Sequence, residues 1–318
     1  MKSTNDDVMM QCPKCGISVL ESDQFCEECG TSLTAIGCEK CGAKSEAIDN
    51  EGFCSVCGFR KEVQERLEIT IDSHLAGVSD RGLRHHRNED YLALQSVNNN
   101  THILIVCDGV SSSSNPHIAA QTATESASTA LITAIKQQEN PQSAIKTAVA
   151  AALSSLCNIA YNKSINSEPP STTIVAAVVQ QNTATIGWLG DSRAYWISGN
   201  NSQQLTKDHS WVSEVVAAGE MTQAEARKSP QANAITRWLG ADAIDDAIPT
   251  IINFTIPSSG YLLLCSDGLW NYAEQPQKLA NLIQQTSNTD AIAISQSLVE
   301  FARHSGGHDN ITVALLSL

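Results

Sequence analysis

Beyond residue 65 the apolar positions fall into short runs, many of them β-branched, separated by Gly, Ser and Asn. Runs of this kind predict strands. The pattern gives strands over Leu67–Leu75, Tyr91–Leu94, Ile103–Cys107, Thr172–Val179, Thr183–Leu189, Arg193–Ser198, Ile251–Ile256 and Tyr261–Cys265, and a last one from Ile311 to Leu318. Gly77 to Asn88 reads as polar and turn-rich. Helical periodicity appears in His117–Gln137 and Pro141–Ala160, both rich in Ala, Ser and Thr, and again in Pro276–Gln285 and Asp290–His304. Lys207–Gly240 reads as helical pieces and loop, broken at Gly219 and Pro230. Hairpin-length turns such as Gln180-Gln181-Asn182 and Ser258-Ser259-Gly260 imply mostly antiparallel sheets with the helices outside, an α+β fold.

Acids punctuate this pattern. Three apolar strands end in Asp108-Gly109, Gly190-Asp191-Ser192 and Ser266-Asp267-Gly268, and the Gly306-Gly307 turn carries Asp309 into the last strand. Four strand-end aspartates predict one carboxylate cluster in space. A single Asp-Gly after a strand is usually only a turn, so the weight rests on the set.

The first sixty residues are different. Large apolar groups are few (Phe25, Ile36, Phe53), too few for a core. Instead CxxCG occurs four times: Cys12/Cys15, Cys26/Cys29, Cys38/Cys41 and Cys54/Cys57. The spacings predict two four-cysteine zinc sites, each stapling a small fold, rather than disulfides or iron. Residues 1–62 are thus expected to form a double zinc ribbon ahead of a large domain over 63–318.

Composition narrows the function. Of 318 residues, 42% are hydrophobic, enough for a packed core, and the net charge of −14 argues against a nucleic-acid surface. There is no apolar run long enough to span a membrane and no apolar signal region at the N-terminus, so no membrane partner and a cytoplasmic location are expected. Cys107 and Cys265 lie within apolar strands and read as packing residues.

The segments Arg84-His85-His86-Arg87-Asn88-Glu89-Asp90, Val106-Cys107-Asp108-Gly109, Gly190-Asp191-Ser192-Arg193, Lys207-Asp208-His209-Ser210, Ser266-Asp267-Gly268 and His308-Asp309-Asn310-Ile311-Thr312, in this order, resemble the motifs of the metal-dependent type 2C serine/threonine protein phosphatases of bacterial type. The resemblance runs from about Leu67 to Leu318. It implies an αββα four-layer sandwich with Mn2+ or Mg2+ at one end between the sheets. Asp108 would bridge two metals with the Gly109 carbonyl on one of them. Asp267 and Asp309 would hold the first metal, Glu89 and Asp90 the second or its waters, and Asp191 a third, weaker one. It implies hydrolysis of phosphoserine and phosphothreonine by a metal-bridged water. All-oxygen ligands suit such hard cations.

One position departs from the family. Its usual phosphate-gripping Arg, four residues before the Glu, is His85 here, so His85, Arg84 and Arg87 are the candidates for that grip. Asp208-His209 reads as structural, Asn310 as orienting Asp309 or closing its turn, and His117 as a surface residue at a helix start. Arg227 and Lys228 read as a solvated helix face. Expected partners are phosphorylated proteins, substrates of a cognate Ser/Thr kinase, and a protein partner for the ribbons. Two other readings stand beside this one: a weak or inactive phosphatase domain that binds through its ribbons, and a phosphatase of small phosphoesters.

Overall fold

The computed structural model describes residues 9–11, 17–20, 28, 38, 40–43, 47, 53–59, 65–98, 100–161, 168–243 and 247–318. The chain divides into two compact units, Met1–Gln64 and Glu65–Leu318. In the first, β1 (Met9–Gln11) pairs antiparallel with β2 (Ser18–Leu20). Among its described residues only Cys38 and Cys54 are buried. No apolar core is described there.

The second unit opens with β3 (Arg66–Thr70), β4 (Leu75–Asp80), β5 (Asp90–Asn98) and β6 (Thr101–Asp108). Helices α1 (Pro116–Lys136) and α2 (Pro141–Cys157) follow. Next come β7 (Ser171–Thr172), β8 (Ile174–Gln180), β9 (Thr183–Leu189), β10 (Arg193–Ile197) and β11 (Gln203–Gln204). Two short helices, α3 (Trp211–Ala217) and α4 (Gln223–Ala226), precede β12 (Leu239–Gly240) and β13 (Thr250–Thr255). The chain then runs through β14 (Tyr261–Cys265), α5 (Asp267–Trp270), α6 (Pro276–Gln285), α7 (Ala291–His304) and β15 (Ile311–Ser317).

One sheet has the order β11-β10-β14-β15-β4-β3 and the other β13-β9-β8-β6-β5, with every pairing antiparallel. The apolar runs are continuous because both faces of each sheet are covered. Along β6, Leu104 and Val106 join Val175, Ile186, Leu262 and Ala314 between the sheets. Ile103, Ile105 and Cys107 face the other way, against Ala119, Ala123, Ala127 and Ala148 of α1 and α2. On the far side Val78, Leu263 and Val313 pack on Leu279, Leu298 and Ala302 of α6 and α7. The result is the four-layer αββα sandwich. Small residues on α1 and α2 let these helices lie close to the sheet.

Two expectations need correction. Gly77–Asn88 is not all turn, because Leu75–Asp80 is a fully buried strand between β15 and β3. Its small residues hid it. Gly77 lies where a Cβ would come within 2.7 Å of the Val313 carbonyl, so only glycine fits. The strand expected over Leu67–Leu75 also breaks at Ile71–His74, where Asp72 accepts the amides of His74 and Leu75. No described helix is long and apolar enough to cross a membrane.

Candidate active site

The two sheets meet at an edge built from four strand ends. β5 and β6 pair so that Asp90 stands opposite Asp108. β14 runs through Cys265 to Ser266, and Asp267 is the first residue of α5. Gly306 and Gly307 have φ of +144° and +52°, and this left-handed turn presents Asp309 and Asn310 at the head of β15.

Hydroxyls and one amide lock these ends together. The Ser266 hydroxyl donates to Asp90 Oδ2 at 2.6 Å and accepts the Thr312 amide at 3.0 Å. Thr173 Oγ1 accepts the Asp108 amide at 3.2 Å and also contacts Ser192 Oγ at 2.8 Å. Asn310 does more than close its own turn. Its Oδ1 accepts the Glu89 amide at 2.8 Å, and its Nδ2 donates to the carbonyls of Arg81 and Arg87 at 2.8 and 3.0 Å. The Asp267 and Asp309 turns touch backbone to backbone: a Cβ on Gly268 would come 1.9 Å from the Asn310 carbonyl oxygen. Gly268→Ala should therefore cost about 3 kcal/mol of stability. Thermal unfolding checks this, and an unchanged melting temperature would contradict the contact.

The electrostatics tie the acids into one cluster. Burial, with the charges of Asp90, Asp267, Asp309 and Asp191, pushes Asp108 well above the usual carboxylate range. Burial likewise pushes Asp267 well up, helped by Asp309, Asp191 and Asp90. Asp90, only 4% exposed, is pushed up to about 7 by burial, against the hydrogen bond from Ser266. Asp191 also rises to about 7, through burial and then the Asp208 charge. Glu89 is raised by burial, with the Ser111 hydroxyl pulling the other way from 2.6 Å. Buried like charges at this density call for a counter-cation.

The donor set fits a hard cation, being all oxygen. Asp90 Oδ1 is buried without a hydrogen-bond partner. The oxygens stand wider apart than the four cysteine sulfurs of the first unit, the one described group whose ligand atoms all lie within 4.8 Å of one another.

Each other sequence candidate has a definite place. His85 Nε2 lies 3.2 Å from Asp309 Oδ1. Arg84 is exposed. Arg87 Nη1 contacts His117 Nε2 at 2.6 Å, and burial, with the Arg87 charge, pushes that imidazole down to about 4, so neutral His117 accepts the bond. His117 is half-buried against Arg87, not a free surface residue. Arg193 forks onto Asp208 at 2.9 and 2.7 Å and lies 3.7 Å over the Trp270 ring, rather than pairing with Asp191. Trp270 Nε1 in turn holds the Asp191 carbonyl at 2.9 Å. His209 is structural, as expected: it accepts the Gly190 amide and stacks on Trp188. Arg227 is not simply solvated, since it pairs with Glu274. Gly109 hydrogen-bonds through its amide to the Glu89 carbonyl at 3.0 Å, which sets it beside the acids.

In the first unit Cys38, Cys41, Cys54 and Cys57 converge. Cys38 and Cys57 sulfurs are 3.5 Å apart, Cys41 and Cys54 sulfurs 3.6 Å. Tetrahedral zinc–thiolate geometry asks for about 3.8 Å. The two knuckles are built alike: Gly42 and Gly58 have φ of +72° and +68°, and their amides donate to the carbonyls of Cys38 and Cys54. Cys12, Cys15, Cys26 and Cys29 lie outside the described residues.

Known proteins share both parts. The family model "Protein phosphatase 2C" matches residues 81–303, and "Double zinc ribbon" matches 12–58. The chain is 40% identical over 148 residues to "Protein phosphatase PhpP" of Streptococcus pneumoniae, covering 46% of this chain but only 58% of that protein's length. It is 30% identical to "Serine/threonine phosphatase stp" of Listeria welshimeri, over 76% of this chain and 95% of that protein. The crystal structure of serine/threonine phosphatase Stp1 from Staphylococcus aureus superposes with a TM-score of 0.65 at 25% identity, over 81% of this chain and 96% of that one. With a family model over most of the sandwich and a relative matched almost end to end, the chain belongs to the protein phosphatase 2C family.

Proposed function

We propose that the chain is a metal-dependent phosphoprotein phosphatase acting on phosphoserine and phosphothreonine, with a double zinc ribbon in residues 1–62 and the phosphatase domain in 63–318. The observation that carries this is the single cluster formed by Asp90, Asp108, Asp191, Asp267 and Asp309, in which the Asp309 charge acts on each of the other four. Asp108, Asp267 and Asp309, with Glu89, Asp90 and the Gly109 carbonyl, would hold two Mn2+ or Mg2+ ions, and Asp191 would contribute to a third. Bound there, such ions supply Lewis acidity toward a phosphomonoester and a water that ionises near neutral pH. The protein's own part is to aim the acids. Ser266 and Thr173 fix Asp90 and Asp108, and Asn310 sets Glu89 against Asp309. Cys107 takes no part as a nucleophile, since burial pushes its thiol up to about 12 and the Asp90 charge adds to this.

Phosphorylated proteins are the proposed substrates, supplied by a cognate Ser/Thr kinase, and the ribbons are proposed to bind a protein partner. A cytoplasmic location fits four reduced thiols poised for a metal. The reading is tested with p-nitrophenyl phosphate and a phosphoserine/phosphothreonine peptide panel, with and without Mn2+. Turnover of the peptides that disappears on chelation is expected. Absence of any Mn2+-dependent turnover would refute it.

The phosphate grip is assigned to the His85, Arg84 and Arg87 group. Alanine at the residue that grips should raise KM about tenfold, the worth of one charge-assisted hydrogen bond. Unchanged KM in all three variants would remove the group from substrate binding. Because His85 already leans on Asp309, His85→Ala should also raise the Mn2+ concentration needed for half-maximal rate.

A further inference from the structure

The phosphatase family match begins at residue 81, so β3 and the residue before it lie outside it. Glu65 is nonetheless bonded to both ends of the 81–88 loop that joins β4 to β5. Its backbone carbonyl accepts the Arg81 amide at 3.2 Å, and its half-buried carboxylate accepts the Asn88 amide. Asn310 holds the same two places from the opposite side, through the carbonyls of Arg81 and Arg87.

The peptide between Arg87 and Asn88 is therefore gripped at both poles, its oxygen by Asn310 and its N–H by Glu65. A peptide plane fixed at both ends cannot rotate, and the two residues after it are Glu89 and Asp90. Asn88 carries the restraint on: its Oδ1 accepts the Asp90 amide at 3.2 Å, and its Nδ2 donates to Ser79 Oγ at 2.8 Å. The next residue, Arg66, adds a second tie, reaching Asp80 Oδ2 at 3.1 Å while Asp80 Oδ1 accepts the Gly82 amide at 2.8 Å.

We propose that Glu65 is a positioning residue of the active site: it braces the Arg87–Asn88 peptide against Asn310 and so aims Glu89 and Asp90 at the metal cluster. Outer partners of this kind change metal affinity by about 10- to 100-fold when lost.

The test uses the full chain and Mn2+ alone as the probe, with affinity read by titration calorimetry and turnover read separately on p-nitrophenyl phosphate. Glu65→Ala should weaken Mn2+ binding about tenfold and lower kcat more than it raises KM. Glu65→Gln keeps an acceptor at the same reach and should stay within about threefold of wild type. Glu65→Asp keeps the charge but falls a methylene short of Asn88, and should resemble Glu65→Ala. This pair decides the matter even if the alanine variant fails to fold. Wild-type Mn2+ affinity in Glu65→Asp, or a fall in melting temperature with affinity unchanged, overturns the proposal. So does a Glu65→Gln variant as weak as alanine. The turnover arm rests on the phosphatase reading and the calorimetric arm does not. Mn2+ binding that weakens in Glu65→Asp, in a protein inert to phosphoesters, would sink the activity and keep the brace. A wild-type chain that binds no Mn2+ sinks both.

Discussion

Replacing Asp108 with asparagine should leave a protein that folds better and barely works. Turnover of p-nitrophenyl phosphate with saturating Mn2+ should fall about 10³-fold, several kcal/mol of lost transition-state stabilisation. In metal-free buffer near pH 8 the same variant should melt about 3 °C or more above wild type. The reason is the crowding of acids. Burial and four neighbouring carboxylates all oppose ionisation of Asp108, so a neutral amide of the same shape relieves a repulsion that the native chain carries. Added Mn2+ should raise the melting temperature of wild type more than that of the variant. This combination separates loss of a ligand from loss of the fold. A variant with wild-type rate, or one that is inactive because it is unfolded, would contradict the assignment.

Removing zinc should have the second large effect, confined to the first unit. Wild-type protein should carry two zinc ions per chain by elemental analysis, and Cys54→Ser should lose one. Cys54 is 1% exposed and its sulfur sits 3.6 Å from that of Cys41, so the substitution breaks the thiolate set from the inside. Structural zinc contributes on the order of 10 kcal/mol to domains of this kind, and the described part of this unit has no apolar core to compensate. Residues 38–59 should become protease-sensitive in the variant and after chelation. A Cys54→Ser chain that keeps both zincs and resists proteolysis would show that the thiols do not form the site.

Much of the sandwich was legible because its strands are buried on both faces. Thr183–Leu189 and Tyr261–Cys265 could be bounded from apolar runs alone, and Pro276–Gln285 from a proline at its first turn. β4 was not legible, because Ala76, Gly77, Ser79 and Asp80 are buried for fit rather than for hydrophobicity. The acids could be picked out by their place at strand ends. Their supports could not. Ser266, Thr173 and Thr312 are ordinary strand-end hydroxyls until partners distant in the chain meet them. Glu65 was equally silent, one acid in the charged run Arg60–Arg66, whose role depends on Asn88. The basic residues show the same limit from the other side: composition put four in a row at Arg84–Arg87, and only packing distinguishes His85 on Asp309 from Arg87 on His117.

The position of β15 constrains how this protein is made. It lies at the heart of its sheet, between β14 and β4, and Thr312 meets Ser79 across a separation of 233 residues. A ribosome delivers β4 early and β15 late, so the half-built sheet must wait with an open edge in its middle. Loop closure over such a span makes assembly slow and exposes the waiting edge to aggregation. Asp309 travels at the head of that late strand. The acidic cluster therefore cannot be complete until β15 has taken its place between β14 and β4.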